Sequence, residues 1–436
     1  MNSGLRLWDR AKRCIPGGNG LLSKRPERYA PDLWPTYFSK AKGVSIWDLE
    51  GNHYVDMAQM GIGTAILGYA NDHVDEKVKE AISNGVNTTL NPPEEVYLAE
   101  KLLQLNSFAG GVKFARTGAE AMSIAVRIAR AYTGKEKIAF SGYHGWSDWY
   151  LATNLENENN LNEHLLEGLS PKGIPAGLSG TAIPFKYNDA LDLEKQVKGK
   201  DIGAIVIEGA RYDFASEDFL QSIKKIADEK NAIIIFDEIT SGWRMNCGGV
   251  FKNYNNFEPD IAVFGKAMGN GYAISAVVGK RDIMDSAQDT FISSTFWTER
   301  VGFAAALETI NQLEKFQVHK NLIKTGDFIS KEWNSLFSKH GLDVKTTDFL
   351  PLITFKPNYG SLNNKILTYI SQEMLKMGYL SANSIYVSNS HSERIVQDYL
   401  VCLDKVLKNL SYCIKYRTLD ASLETRVREF GFERLN

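Results

Sequence analysis

The chain has 436 residues, 44% hydrophobic and 23% charged, which is enough material for a large core and, by length, about two or three domains. Its 50 Lys+Arg and 52 Asp+Glu give a formal net charge of −2, so nothing in the charge indicates a surface for nucleic acid or an anionic membrane. Because no apolar run approaches the ~20 residues that span a bilayer and no signal-peptide core opens the chain, we expect a cytoplasmic protein without a membrane partner.

The N-terminal segment, residues 1–70, is predicted to contain a helix, a polar stretch with prolines and a hairpin around Glu50-Gly51-Asn52. Alternating helix and strand patterns over 71–310 predict an α/β domain with a mostly parallel sheet. From 311 to 436, amphipathic helices flank short strands, and with the N-terminal segment they are expected to form a smaller domain. The helices are predicted at 322–337 and 365–377, and the strands at 349–355 and 385–387.

The segment from Asn154 to Lys172 is rich in Asn, Glu and Gly, and we expect a mobile surface insertion there. Four scattered cysteines, Cys14, Cys247, Cys402 and Cys413, predict no disulfide framework and are interpreted as packing residues. The seven histidines show no metal-binding spacing, so we expect no catalytic metal.

A possible anion site follows the short predicted strand around Phe114-Ala115-Arg116. Thr117 and Glu120 have the spacing of a capping box, and the helix that follows carries an apolar stripe at Met122, Ala125, Val126 and Ala129. The first turn of a helix has unpaired amides and the positive end of the dipole, so Gly118 and Ala119 could hold a phosphate. The competing interpretation is an ordinary capped helix.

Polar side chains follow several apolar runs. Tyr143 and His144, after one such run, could stack on a planar ring and support a site, although a lone loop histidine is more often a packing residue. The runs 204–207 and 233–236 end in Glu208 and Asp237. The carboxyl ends of parallel strands bind ligands, so these acids and Lys266, which follows a third strand, are predicted to share one rim.

Lys266 and Asp237 together indicate a specific chemistry. A lysine with a lowered pKa can form a Schiff base with an aldehyde. A carboxylate can keep a pyridine nitrogen protonated, so that the ring stabilises a carbanion. This pair is what pyridoxal 5'-phosphate requires, whereas taken alone each residue would be interpreted as a solvated charge.

With these residues the chain resembles the class III aminotransferases, which are fold-type I pyridoxal phosphate enzymes, and within them it is most similar to the glutamate-1-semialdehyde aminomutases. The likeness covers nearly the whole chain, from Gly17-Gly18 to His391. Its most specific segments are Thr117-Gly118-Ala119-Glu120-Ala121, Gly142-Tyr143-His144-Gly145, Phe236-Asp237-Glu238 and Gly265-Lys266. The resemblance implies a large domain with a mostly parallel seven-stranded sheet and a smaller α+β domain.

The resemblance also implies roles for individual residues. Lys266 would be the Schiff-base lysine and Asp237 the partner of the ring nitrogen. Gly118 and Ala119 would bind the phosphate through their amides, and Tyr143 and Ile239 would pack on the two faces of the ring. His144 and Glu208 would lie near the cofactor. Thr295 would contact the phosphate bound by the neighbouring subunit. The last of these implies a homodimer with shared active sites.

Three positions bear on the substrate. The aminomutases' gating glutamate falls on Asn383, while Arg25 and Arg211 are candidate ligands for a substrate anion. The competing interpretation of either arginine is a loop or surface ion-pair residue. The substrate-pocket tryptophan expected within Met57–Gly63 is missing, and that segment looks one residue longer than its counterpart. The substrate region has therefore changed while the cofactor region has not.

These departures favour a two-substrate transaminase, because an aminomutase must retain its diamine intermediate in a closed pocket. The predicted reaction moves an amino group from an amino donor to a small polar keto or aldehyde acceptor, such as a sugar-derived or surface-polysaccharide precursor. Two alternatives stay open: an intramolecular aminomutase that converts glutamate-1-semialdehyde to 5-aminolevulinate, and a non-catalytic regulatory or assembly protein with the same fold.

Overall fold

The computed structural model describes residues 2–164 and 167–431. Contacts divide the chain into two units, unit 1 (Met1–Asn71 and Asn321–Asn436) and unit 2 (Asp72–Lys320). In the described residues the helices, numbered in chain order, are α1 (Ser3–Cys14), α2 (Met60–Gly63), α3 (Asp72–Ser83), α4 (Pro93–Leu105), α5 (Gly118–Thr133), α6 (Asp148–Leu151), α7 (Ala190–Val197), α8 (Glu217–Lys230), α9 (Arg281–Asp285), α10 (Arg300–Lys315), α11 (Val318–Lys339), α12 (Asn363–Lys376) and α13 (Glu393–Lys415).

The strands of the same residues are β1 (Phe38–Lys42), β2 (Ser45–Asp48), β3 (His53–Met57), β4 (Gly111–Ala115), β5 (Lys137–Ser141), β6 (Ala182–Pro184), β7 (Ile202–Glu208), β8 (Ile233–Asp237), β9 (Ile261–Phe264), β10 (Ser275–Gly279), β11 (Val344–Thr346), β12 (Leu352–Pro357), β13 (Tyr379–Ser381) and β14 (Ser384–Tyr386). The helix predicted at 322–337 lies within α11. The helix predicted at 365–377 lies within α12 except for its last residue.

Unit 2 contains a seven-stranded sheet in the order β4-β10-β9-β8-β7-β5-β6. Strand β10 runs antiparallel to both of its neighbours, while β5 to β9 pair in parallel. Strands β7 to β10 are buried along their whole length, which explains why they read as continuous apolar runs. The predicted mostly parallel sheet is confirmed.

Helix α5 covers this sheet, with contacts to β4, β7, β8, β9 and β10. Its apolar stripe is fully buried, as the spacing predicted, at Met122, Ala125, Val126 and Ala129. The capping box between Thr117 and Glu120 is also present. The helix is therefore fixed at its first turn by side-chain caps and along its length by packing.

Unit 1 contains a four-stranded sheet, β1-β2-β3-β13, and a three-stranded sheet, β11-β12-β14. The predicted hairpin around Glu50-Gly51-Asn52 joins β2 to β3, which pair antiparallel. Its turn is held by the Asp48 carboxylate, which accepts hydrogen bonds from the amides of Glu50 at 2.9 Å and Asn52 at 2.8 Å. Asp48 thus satisfies backbone donors that the turn would otherwise leave without partners.

The short segment α2 of unit 1 is a left-handed turn. All four of its residues have positive φ, with values of 41° at Met60, 67° at Gly61, 59° at Ile62 and 76° at Gly63. The buried Asp56 carboxylate secures its start by accepting hydrogen bonds from the amides of Ala58, Gln59 and Met60. Methionine and isoleucine rarely adopt this conformation, so the turn stores strain of about 1 kcal/mol or more at each.

The predicted surface insertion from Asn154 to Lys172 has one buried anchor, and its mobility stays a prediction. The Asn154 side chain accepts from the amide of Leu161 at 3.1 Å and donates to the carbonyl of Leu169 at 2.6 Å. Residues 165 and 166 of this insertion lie outside the described part. One expectation from the sequence, on the cysteines, needs correction. Cys14 is exposed and Cys247 and Cys402 are half-buried, so only Cys413 is a buried packing residue.

Within residues 2–164 and 167–431, no helix combines the length and apolar character needed to cross a bilayer. In the same ranges, no three His, Cys, Asp or Glu side chains group in a way that could hold a metal ion.

Candidate active site

The predicted rim exists in unit 2. Glu208 at the end of β7 lies beside Asp237 at the end of β8, and Asp237 lies beside Val263 of β9. Lys266 follows β9 after one extended glycine, at the start of a 3-10 turn. Because three adjacent parallel strands end together, their last residues meet at one edge of the sheet.

Asp237 is buried and held on both of its oxygens. His144 Nδ1 lies 2.8 Å from Oδ2, and the amide of Ile239 donates to Oδ1 at 3.0 Å. The other ring nitrogen of the buried His144 lies 3.2 Å from the carbonyl of Ser141. Both ring nitrogens of His144 thus face acceptor oxygens, one of a carboxylate and one of a backbone carbonyl. His144 is thus a polar support for Asp237, one of the two roles considered for it.

Lys266 is half-buried and adopts a positive φ of 43°. Its Nζ donates to the hydroxyl of Thr240 at 2.8 Å. Burial, reinforced by the nearby Arg211 guanidinium, lowers the pKa of Lys266 to about 7. At pH 7 about half of the Lys266 side chains are therefore the free amine that attack on a carbonyl requires.

Thr240 connects this lysine to a buried ion pair. Arg211 donates to Glu208 from Nε at 3.0 Å and to the Thr240 hydroxyl from Nη2 at 3.1 Å. The amide of Tyr143 donates to the same Glu208 carboxylate at 3.0 Å. Burial would raise the pKa of Glu208, but the charge and hydrogen bonds of Arg211 outweigh burial and lower it. Glu208 therefore stays ionised and neutralises Arg211.

The first turn of α5 leaves two backbone amides without an acceptor among the described residues, at the place where the sequence predicts a phosphate. Thr117 and Glu120 cap each other, while the amides of Gly118 and Ala119 have no hydrogen-bond acceptor among the described residues. A Cβ on Gly118 would lie 2.9 Å from Cδ1 of Ile239. Glycine is thus needed for close packing there, and two amides at the positive end of a 16-residue helix remain available to an anion.

The remaining predicted cofactor residues lie in the same unit. Tyr143 is half-buried, packs edge-on against Tyr150 and has the Arg211 guanidinium 5.9 Å from its ring centroid. Thr295 is exposed and begins the 3-10 turn Thr295–Thr298. Within this turn, the indole nitrogen of Trp297 donates to the carboxylate of Glu120 at 3.2 Å. Stacking by Tyr143 and Ile239, and the service of Thr295 to a second subunit, stay predictions.

The candidate substrate residues are distributed over both units. Arg211 lies at the rim of unit 2 but is already paired with Glu208, so it is a weaker candidate for a free anion ligand than its sequence position suggested. Arg25 and Asn383 belong to unit 1. Asn383 bonds the carbonyl of Phe355 through Nδ2 at 3.3 Å and accepts from Arg428 at 3.4 Å.

Beside the Glu208–Arg211 pair lies a cavity of about 620 Å³ in unit 2. Its walls come from the ends of β5, β6 and β7 and from the anchored insertion, which contributes His164. Burial lowers the pKa of His164 to about 4, so this imidazole is neutral, and its Nδ1 accepts from the amide of Gly142 at 3.1 Å. The cavity therefore places a neutral imidazole next to the rim, among charged side chains that include Lys186, Asp213 and the Glu208–Arg211 pair.

Two residues of functional interest were missed in the sequence. One is Thr240, which lies three residues after Asp237. Its short distance in sequence from Asp237 was the only indication that its side chain could reach the site. Glu238 is fully buried, and burial raises its pKa to about 7. It accepts from the Ser241 hydroxyl and from the amide of Phe251 at 3.1 Å. Glu238 therefore braces the loop after β8 rather than the rim itself.

Known proteins share this fold and these sequence features. The FumI protein of Sphingopyxis sp. MTA144, solved with PLP, superposes with a TM-score of 0.86 over 98% of both chains at 25% identity. The 3-aminobutyryl-CoA aminotransferase of Cloacimonas acidaminovorans (strain Evry) is 33% identical over 384 residues, 85% of this chain and 88% of its own. The glutamate-1-semialdehyde 2,1-aminomutase of Sulfurisphaera tokodaii is 28% identical over 428 residues, 93% of this chain and 99% of its own.

The aminotransferase class-III family matches residues 29–347. This range includes every residue described above at the rim of unit 2 and the first turn of α5. The chain therefore belongs to the class-III aminotransferase family.

Proposed function

We propose that this protein is a pyridoxal phosphate-dependent transaminase that moves an amino group from an amino donor to a small polar keto or aldehyde acceptor. The observation that carries the proposal is the placement of Lys266, with its lowered pKa, on the same sheet edge as the buried carboxylate of Asp237. The family of the chain and the names of its relatives support the same reaction type.

The residues present fit pyridoxal phosphate. The unpartnered amides of Gly118 and Ala119 suit its phosphate, the Asp237 carboxylate suits its pyridine nitrogen, and the Lys266 amine suits its aldehyde. When bound, this cofactor supplies a conjugated ring that accepts the electron pair left behind when the substrate carbon loses a proton.

The chain's own groups then have distinct tasks. Asp237 keeps the ring nitrogen protonated, and His144 holds the carboxylate in place through the 2.8 Å contact at Oδ2. With the cofactor bound, the free Nζ of Lys266 would take the proton that the substrate carbon loses and return it to a second carbon. The Thr240 hydroxyl, 2.8 Å from Nζ, orients the amine, and the positive charge of Arg211 discourages its permanent protonation.

The decisive experiment traps the lysine. Purified protein is incubated with pyridoxal phosphate, reduced with borohydride and mapped by mass spectrometry; we expect the label on Lys266 and loss of both label and turnover in Lys266→Ala. Lys252→Ala is the matched control, because burial also lowers the pKa of Lys252 but its Nζ donates to backbone carbonyls away from the rim. Label at another residue, or transamination retained by Lys266→Ala, would refute the assignment.

Transamination between two substrates is proposed over the aminomutase reaction. The support is the resemblance: it puts the neutral Asn383 at the position of the aminomutases' gating glutamate, and it puts their pocket tryptophan within Met57–Gly63, where this sequence has none. The aminomutase relatives nevertheless span almost the whole chain. Incubation with glutamate-1-semialdehyde alone separates the two reactions: rapid formation of 5-aminolevulinate would overturn the preference, and dependence on a separate amino donor would support it.

A homodimer is proposed from exposed apolar side chains on unit 2. Leu90 and Phe291 are 81% and 82% exposed, and Phe296 nearby is 67% exposed. The segments that carry them adjoin, because the amide of Arg300 donates to the carbonyl of Val86 at 2.9 Å. Exposed apolar groups of this size are typical of a protein interface. A sedimentation experiment that gave a monomer at working concentration would contradict the proposal.

We also propose that residues 71–310 act as the cofactor-binding domain, that 1–70 and 311–436 form the smaller domain, and that the protein works in the cytoplasm. All four cysteines are free, including the exposed Cys14, which suits a reducing compartment.

A further inference from the structure

The cavity of unit 2 that adjoins the rim leads away from the reacting groups. Its volume of about 620 Å³ lies in the range of small-molecule sites, and neither Lys266 nor Asp237 lines it. One hydroxyl connects the two regions, since Thr240 accepts from Lys266 Nζ at 2.8 Å and from Nη2 of Arg211, which lines the cavity, at 3.1 Å. The cavity therefore begins close to the reacting amine and has room for the body of a substrate.

The charged side chains of the cavity carry an excess of negative charge. Both basic residues already face a carboxylate: Arg211 is paired with Glu208, and Lys186 Nζ lies 3.4 Å from Glu163. The lining contains four acids and only these two bases, so the excess is two negative charges. The six residues are Glu163, Asp192, Glu208, Asp213, Lys186 and Arg211. Like charges placed together oppose binding, so a phosphate or carboxylate is disfavoured in this cavity.

The uncharged polar side chains of the lining offer both donors and acceptors. His164 is neutral and accepts at Nδ1, so its hydrogen lies on Nε2. Among the described residues, Asn159 is bonded only at Oδ1, which leaves its amide hydrogens as donors. Asn160 and Gln196 donate through their amide nitrogens, which leaves their carbonyl oxygens as acceptors. Two donor groups and two acceptor groups are therefore available to a ligand.

A ligand with several hydroxyl groups suits this lining. A hydroxyl both donates and accepts, so neighbouring hydroxyls can use the donors and the acceptors of the cavity together. Phe185 and Tyr187 add aromatic surface on which the C–H groups of such a ligand can pack. An apolar ligand would displace water from the polar groups without replacing its hydrogen bonds.

We infer that this cavity binds the uncharged, polyhydroxylated body of the carbonyl acceptor, as in a ketose or a sugar aldehyde without a phosphate or carboxylate group. The inference rests on the proposed transaminase function and names its substrate class. The exchange is balanced: the C–NH₂ of the donor becomes C=O while the C=O of the acceptor becomes C–NH₂, so no external oxidant or reductant takes part.

The test uses full-length protein loaded with pyridoxamine phosphate, so that acceptors can be compared before the amino donor is known. Dihydroxyacetone, L-erythrulose and D-fructose are each compared with their phosphate esters, and 2-butanone serves as a ketone without hydroxyl groups. Absorbance reports the conversion to pyridoxal phosphate. We expect at least one uncharged ketose to react about tenfold or more faster than both its ester and 2-butanone.

A change of charge locates this preference in the cavity. Asp213 is exposed, and Asp213→Lys replaces an acid of the lining by a base, so the excess of negative charge disappears. The preference for the uncharged ketose over its ester should then fall about tenfold. Asp228→Lys makes the same change at an exposed position of α8 outside the lining and should leave the preference unchanged.

Three results would overturn the inference. They are phosphate esters that react as fast as the uncharged ketoses, a preference that Asp213→Lys and Asp228→Lys change equally, and failure of every ketose to react. In the last case 2-oxoglutarate and borohydride labelling separate the two proposals. Conversion by 2-oxoglutarate with the label on Lys266 would leave the transaminase function standing and reject only the substrate class, whereas absence of the label would remove both.

Discussion

Lys266 allows a quantitative prediction about cofactor capture. If its pKa is about 7, as burial and Arg211 dictate, the fraction of free amine is about one tenth at pH 6, one half at pH 7 and nine tenths at pH 8. Capture of pyridoxal phosphate by the apoprotein should then speed up about ninefold to tenfold between pH 6 and pH 8 and reach a plateau. An unshifted lysine near 10.5 would give about a hundredfold rise with no plateau in that range.

The assay is stopped-flow absorbance after mixing apoprotein with excess pyridoxal phosphate at constant ionic strength. Arg211→Gln supplies the perturbation, since Arg211 contributes to the lowered pKa: its removal should move the midpoint to higher pH. Lys252→Ala serves as the control and should leave the profile unchanged. A hundredfold rise in the wild type, or a midpoint that Arg211→Gln moves to lower pH, would refute the argument from burial and charge.

Three further changes test the rim. Asp237→Asn should lower kcat about a thousandfold with the cofactor still bound, and a loss below tenfold would place the ring-nitrogen role elsewhere. His144→Phe removes one charge-assisted hydrogen bond to Asp237, worth about 1.5–3 kcal/mol, so kcat should fall about tenfold to hundredfold; unchanged kcat would argue against positioning. Gly118→Val forces Ile239 or the first turn of α5 to move. Pyridoxal phosphate binding, measured by fluorescence titration, should weaken about tenfold. Equal affinity of the variant and the wild type would contradict the phosphate assignment.

The sequence alone was sufficient for the parts of this protein that rest on local patterns. Continuous apolar runs identified β7 and β8, the 3.6-residue stripe identified α5, and the capping-box spacing identified its first turn. Lys266 and Asp237 could be paired because the ends of neighbouring parallel strands converge. These features depend on residues close in sequence or on the known geometry of a parallel sheet.

Features that depend on distant residues could not be found in this way. The neutralisation of Arg211 by Glu208 depends on which way the Arg211 side chain turns, which the sequence does not reveal. The anchor of the insertion after Asn154 also depends on residues apart in sequence, because the buried Asn154 side chain bonds the backbone of Leu161 and Leu169. Composition does not reveal such anchors.

The winding of α2 limits how this part of unit 1 can vary. Adding a side chain at Gly61 would strain a backbone with φ of 67° and bring the new Cβ to 2.6 Å from the Thr64 hydroxyl. Point substitutions at its glycines should therefore lower the stability of the fold. Insertion or deletion of a residue would instead change the backbone conformation of the whole turn. Relatives that differ in this loop are expected to differ by length, and engineers who wish to reshape it would do better to graft a complete loop than to exchange single amino acids.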